Sequence, residues 1–266
     1  MSQGRLGFEE LEVMGVGLAR ATETEVVADV VCRARSGVGG WVITPNLDIL
    51  RRCVGDAEVR SLVGQADVRV ADGMPLVWAS RLAGLGGGKG LPERVAGSSL
   101  VWTVCEAAAR EGVGVVLIGG SPGDADRAAG VLRGAYPGLD VKNVHCPAMG
   151  FESDAAAMGE LEAIAGRSEG CVVFVGLGFP KQERLIERLR VVQPGAVWLG
   201  VGISFSYVAG TVKRAPGWAR RLGLEWIYRL LQEPGRLARR YLVEGLPFAV
   251  RLGCWAAWRR FRGGRL

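Results

Sequence analysis

The sequence predicts an α/β protein, a parallel sheet flanked by helices, with a helical appendage at its C-terminus. Three observations point there. Apolar runs of about five residues, the length of a strand buried on both faces, alternate with helical patterns from Trp41 to Gly200. Most of these runs stop at Gly, Pro, Asn or Asp, the residues of tight turns. After Gly210 the alternation ceases, and tryptophans and arginines at helical spacing take over. With 266 residues, 49% of them hydrophobic, the chain can bury one sizeable core plus an appendage.

Val13–Leu18 is a short apolar stretch. Thr22 with Glu25 makes a capping box ahead of a helix over Val26–Arg35. Trp41–Thr44 reads as a buried strand ended by Pro45-Asn46, and Leu47–Cys53 begins a helix. Val68–Val70 is the next strand, stopped by Ala71-Asp72-Gly73, and Met74–Leu82 is helical. A glycine-rich stretch, Gly84–Gly90, reads as flexible. Strands follow at Val113–Ile118, Leu139–Val144, Cys171–Val175 and Ala196–Gly200. Helices fall at Asp124–Arg133, Ser153–Ala165 and Lys181–Leu189. This is the pattern of a Rossmann-like sheet, which binds ligands beyond the carboxyl ends of its strands. Thr44, Asn46, Asp72, Gly119-Gly120 and Gly178 through Gln182 lie there. After Pro216 the residues Trp218, Leu222, Trp226 and Leu230 form an apolar stripe along a helix over Trp218–Glu233, and Pro234 starts another. A boundary near residue 210 divides a catalytic domain, 1–210, from the appendage, 211–266.

Charge follows the same boundary. From Lys213 onward there are thirteen Lys and Arg against three acids, whereas the first 212 residues carry a small acidic excess. A basic tail bearing aromatic residues suits an anionic bilayer surface. Nucleic acid is disfavoured because the apolar stripe is too continuous for a solvated RNA face. A helix pair packed inside a homo-oligomer is the remaining alternative. The apolar run Tyr241–Trp258 is interrupted by Glu244, Pro247 and Arg251, so it should not span a membrane. The N-terminus has acids where a signal peptide needs an apolar stretch, and the six scattered cysteines form no C-x-x-C pair. A protein of a reducing cytoplasm, peripheral on the inner face of the cell membrane, is expected.

Several chemistries lack their residues. The chain has one histidine, His145, and no H-E-x-x-H. No D-x-D pair directly follows a strand to hold a divalent ion on a nucleotide diphosphate, and no metal or cofactor is expected. The loops Ile118–Asp124 and Val175–Lys181 each join a strand to a helix, where backbone N–H groups favour phosphate. They read equally as tight turns without a ligand. Neither completes a G-x-G-x-x-G fingerprint, which counts against a nucleotide-cofactor oxidoreductase. Asp72, directly after a strand, is placed as a general base or as the N-cap of the helix at Met74. Thr44 and Asn46 either bind a sugar or close a turn.

Taken in order, the motifs Thr44-Pro-Asn46, Ala71-Asp-Gly73, Pro92-Glu-Arg-Val-Ala-Gly97, Leu117-Ile-Gly-Gly120 with Tyr136-Pro-Gly138, Gly176-Leu-Gly-Phe-Pro-Lys-Gln-Glu183 and the block from Arg214-Ala-Pro to Arg229 resemble the WecG/TagA/CpsF family of bacterial glycosyltransferases. The resemblance runs from about Val13 to Tyr241. It implies inverting, metal-independent transfer of a sugar, often N-acetylmannosamine, from a UDP-sugar to an undecaprenyl-diphosphate-linked saccharide, in teichoic acid or surface-polysaccharide synthesis. It implies that Asp72 is the base, that Thr44, Asn46, Arg94 and Gln182 surround the donor together with Gly119, Gly120 and Gly178, and that Arg214, Arg221 and Arg229 of a membrane-binding appendage sit near the leaving diphosphate. The chain departs from the family at Gly202-Ile-Ser-Phe-Ser206, where many members carry Gly-x-x-Phe-Asp, and this leaves the donor sugar open. A non-catalytic scaffold of the same fold is disfavoured by the retained Asp72, Arg94 and Gln182.

Overall fold

The computed structural model describes residues 7–263, apart from the side chains at positions 221, 236 and 263. In chain order the elements are β1 (Glu10–Val13), β2 (Val16–Ala19), α1 (Glu23–Ser36), β3 (Gly40–Ile43), α2 (Leu47–Gly55), α3 (Ala57–Gly64), β4 (Val68–Arg69) and α4 (Met74–Leu82). Then come α5 (Gly97–Glu111), β5 (Val115–Gly119), α6 (Asp124–Ala135), β6 (Val141–His145), α7 (Ala155–Gly166), β7 (Val172–Gly176), α8 (Lys181–Val192), β8 (Val197–Gly200) and α9 (Ser204–Val208). The C-terminal part holds α10 (Gly217–Arg221), α11 (Glu225–Gln232), α12 (Pro234–Ala238), a π-helix over Arg239–Gly245, and α13 (Leu246–Gly263). The chain divides into two compact units. The first holds Thr24–Ile43 and Gly97–Lys213. The second holds Gly7–Glu23, Thr44–Ala96 and the residues from Arg214 on.

In the first unit the strands run parallel in the order β3-β8-β7-β5-β6. The register is set by pairs such as Val115 with Val172 and Val172 with Val197. Every residue of β5 and β7 is buried, which is why these strands read as unbroken apolar runs: helices cover both faces and leave no polar side. Trp41, Trp198 and Phe174 fill the core with no exposed surface. The sequence leaves α5 unassigned, although its buried Leu100, Val104 and Ala108 recur every fourth residue.

The second unit opens with an antiparallel hairpin, β1 with β2, turned at Met14-Gly15. The sequence shows this only as an apolar stretch. Eighteen-residue α13 packs on α4 and α2, burying Phe248, Leu252 and Ala256 at i, i+4 spacing. The single helix expected over Trp218–Glu233 is broken into α10 and α11. Gly223 adopts a left-handed conformation there (φ +68°). A Cβ on it would come within 2.9 Å of the Trp78 ring and 3.1 Å of Met74 Cβ, so the break is also a close approach to α4. The expected stripe therefore does not face the core: Trp218 and Leu222 are 63% and 59% exposed. No described helix is long and apolar enough to cross a membrane.

Candidate functional site

In the second unit, Asp72 lies just past β4. Its backbone N–H donates to the Pro45 carbonyl at 2.8 Å, tying the turn after β4 to the Thr44-Pro-Asn46 turn. Asp72 does not cap α4. Gly73 holds the N-cap position and no side chain bonds there, so the capping alternative raised by the sequence is not what this carboxylate does. The next turn is fixed similarly: Val95 N–H donates to the Ala71 carbonyl, bringing Arg94 beside Asp72.

Around Asp72 the structure gathers charge. Burial pushes its carboxyl up to about 6. Arg94 opposes that shift, Glu225 adds to it, and Arg214 and Arg229 oppose it. Arg94 Nη1 donates to Glu225 Oε2 at 2.6 Å, and both side chains are less than one-fifth exposed. Burial works against the charge on Arg94, but the carboxylates of Asp72 and Glu225 outweigh it and hold its pKa up. Arg214 is pushed the other way, by burial first and then by Arg220. Arg94, Arg214 and Arg229 thus act on one carboxylate, whereas the Arg221 side chain lies outside the described residues.

Asn46 caps α2, its Oδ1 accepting from Asp48 N–H at 3.0 Å and Ile49 N–H at 3.1 Å. Thr44 stands half-buried immediately after β3.

The remaining sequence candidates belong to the first unit. Gly119 ends β5 with φ +100°, and a Cβ there would lie 2.8 Å from the Gly176 carbonyl oxygen. The N–H of Gly120 donates to that same oxygen at 2.7 Å. Gln182 Oε1 accepts from Gly178 N–H at 3.1 Å and from Gly202 N–H at 2.9 Å. Within the two loops that the sequence offers for phosphate, the N–H groups of Gly120 and Gly178 are thus engaged within the protein. Gln182 laces the loop after β7 to the loop after β8. His145, at the end of β6, lies 3.5 Å from Glu160.

Two acids of this unit were not singled out by the sequence as site residues, Asp124 being placed only near the N-cap of its helix, a position that Gly123 holds. Glu183 is fully buried; its Oε1 accepts from Gln182 Nε2 at 2.8 Å, and its Oε2 has no hydrogen-bond partner. Burial pushes its carboxyl up to about 7, opposed by that hydrogen bond. Asp124, also buried, accepts from Ser206 Oγ at 2.6 Å and from Thr211 Oγ1 at 3.0 Å. A buried carboxylate from another segment of the chain therefore stands beside position 206. The signal was present, as an Asp at the first position of α6, but its partner lies 82 residues away.

Among the described residues no three His, Cys, Asp or Glu side chains converge as a metal-ion site. The sequence matches the family model of the glycosyl transferase WecG/TagA/CpsF family over residues 11–263. The match continues past Tyr241, where the motif resemblance stops, so α13 lies within the matched region. A match over nearly the whole chain shows that the protein belongs to the WecG/TagA/CpsF family of glycosyltransferases and is a transferase.

Proposed function

We propose that the protein transfers a sugar from a UDP-sugar to an undecaprenyl-diphosphate-linked saccharide, with inversion and without a metal ion, using Asp72 as the general base. The supporting observation is the Asp72 carboxylate set among the guanidiniums of Arg94, Arg214 and Arg229. A base with a pKa of about 6 is about nine-tenths ionised at pH 7 and takes a proton more readily than an ordinary carboxylate. In the proposed step, Asp72 accepts the proton of the acceptor hydroxyl as that oxygen attacks C1 of the donor sugar. The bond from C1 to the diphosphate oxygen breaks, and UDP leaves with the bonding electrons. Charge on the departing diphosphate is balanced by the arginines, fixed cations doing what a metal ion does elsewhere. We assign Arg221 to the same group from its place in the motif, and Thr44 and the amide nitrogen of Asn46 to donor contacts. Gln182, with Gly119, Gly120 and Gly178, keeps the strand-end loops of the first unit in shape. The donor is N-acetylmannosamine or a related hexose or uronic acid, and the product enters surface-polysaccharide or teichoic acid synthesis. A panel of UDP-sugars offered with a short-chain lipid-diphosphate acceptor, with chelator present, tests this by mass spectrometry. One donor should add one sugar mass; no product with any donor would contradict the reading.

We infer further that the C-terminal segment docks on the inner face of the cell membrane. Among the described residues, ten of the seventeen exposed large apolar side chains lie between Trp218 and Phe261, among them Leu231 at 75% and Phe261 at 78% exposed, in the segment that also carries the basic excess. Such a face suits insertion at an anionic interface. Replacing both Trp258 and Phe261 with Ser in the full chain should lower partitioning onto phosphatidylglycerol vesicles by about tenfold or more. Equal co-sedimentation of variant and wild type would refute the docking surface.

A further inference from the structure

Glu225 is an odd residue to find beside a site for a diphosphate. It sits in the first turn of α11 and holds the Nη1 of Arg94 at 2.6 Å. Its charge also presses on Asp72, the base. Catalysis by the proposed route gains nothing from it: the glutamate competes for the guanidinium that should meet the donor, and it adds negative charge where negative charge must accumulate. The cluster explains its presence. Arg94 and Arg220 both act on Arg214, and Arg94, Arg214 and Arg229 all act on Asp72. Half-buried guanidiniums this close repel one another unless anions stand between them. With Asp72 and Glu225 counted, these six groups carry two net positive charges, which a diphosphate can match.

We propose that Glu225 is an anion placeholder: in the donor-free protein its carboxylate occupies Arg94 in the place of the donor's diphosphate, and the diphosphate displaces it on binding. The exchange is favourable in chemistry. A diphosphate offers several oxygens and more than one charge, and guanidinium pairs with such groups bidentately, whereas Glu225 makes one short contact. Once released, Glu225 remains at the N-terminal end of α11, where the helix favours an acid. Glu225 thereby keeps the arginines assembled when no donor is bound and sets the concentration at which the donor takes over.

The inference rests on the diphosphate reading of the arginine cluster, and one pair of titrations separates the two. UDP is titrated calorimetrically into the full-length wild type and into Glu225→Gln. The variant should bind UDP about threefold to tenfold more tightly, because the competing carboxylate is gone. Its kcat/KM, which reports the free enzyme, should also keep its value to lower pH, since Glu225 no longer holds the proton on Asp72. A merely structural glutamate would give unchanged or weaker binding. UDP binding that Glu225→Gln leaves unchanged or weakened overturns the placeholder alone; a wild type that binds no UDP overturns the diphosphate reading and the placeholder with it. Should the variant fold poorly, Trp226 serves in the wild type: it adjoins Glu225 and packs edge-on against Tyr241 at 6.1 Å. Its indole N–H resonance, identified among those of the eight tryptophans by its loss in Trp226→Phe, should shift when UDP or inorganic pyrophosphate binds, and an unmoved resonance at saturation overturns the proposal.

Discussion

Replacing Asp72 with Asn is expected to slow sugar transfer by about a thousandfold while UDP binding and folding survive. The amide keeps the shape of the carboxylate and loses only its ability to take a proton. Folding should not suffer at neutral pH. The folded pKa of Asp72, about 6, lies above its ordinary value, so the ionised group is disfavoured by the fold. That penalty is absent at low pH and grows as pH rises through 6; a neutral Asn never carries it. The wild type should lose kcat/KM below about pH 6 as Asp72 takes up its proton, and the variant's residual activity should lack that limb. Turnover in the variant equal to that of the wild type would remove Asp72 as the base.

Glu183→Gln is expected to stabilise the protein by about 3 kcal/mol at pH 8 and by almost nothing at pH 4. The sign follows from burial. Glu183 is fully buried, and its pKa rises from the ordinary 4.5 to about 7. Between those values the folded chain holds a proton that the unfolded chain has released, so stability falls as pH rises through that window. Above pH 7 the wild type carries a buried carboxylate whose Oε2 has no hydrogen-bond partner. Gln keeps an acceptor for Gln182 Nε2 and carries no charge, so the Gln182 bridge to Gly178 and Gly202 should persist. Denaturant unfolding at pH 4 and pH 8 checks this. Parallel pH dependence in wild type and variant would show that Glu183 does not titrate in this range.

Much of the sheet was legible because burial on both faces leaves a plain mark. Val115–Gly119 and Val172–Gly176 are apolar throughout, and their glycine ends announce the turns. What failed to show was decided at long range. Gly223 looked like one residue of a continuous helix, and the side chain of Trp78, on α4, explains why it breaks. Ser206 reads as a lost acid, and its hydrogen bond to Asp124, 82 residues away, is invisible in local pattern. Asp72 was visible as a strand-end carboxylate. Its character as a base depends on Arg94, Arg214, Glu225 and Arg229, and the pair Arg94–Glu225 spans 131 residues of sequence. Local pattern records propensity and turn chemistry; it does not record which charges meet.

The anomeric configuration of the product tests the central claim most directly. A hydroxyl deprotonated by Asp72 and attacking C1 in one displacement must invert that centre. With the donor that gives product, the new linkage should carry the anomeric configuration opposite to that of the UDP-sugar, read from the one-bond C–H coupling at C1 by NMR. A linkage that retains the donor's configuration would contradict the single-displacement mechanism and Asp72's place in it.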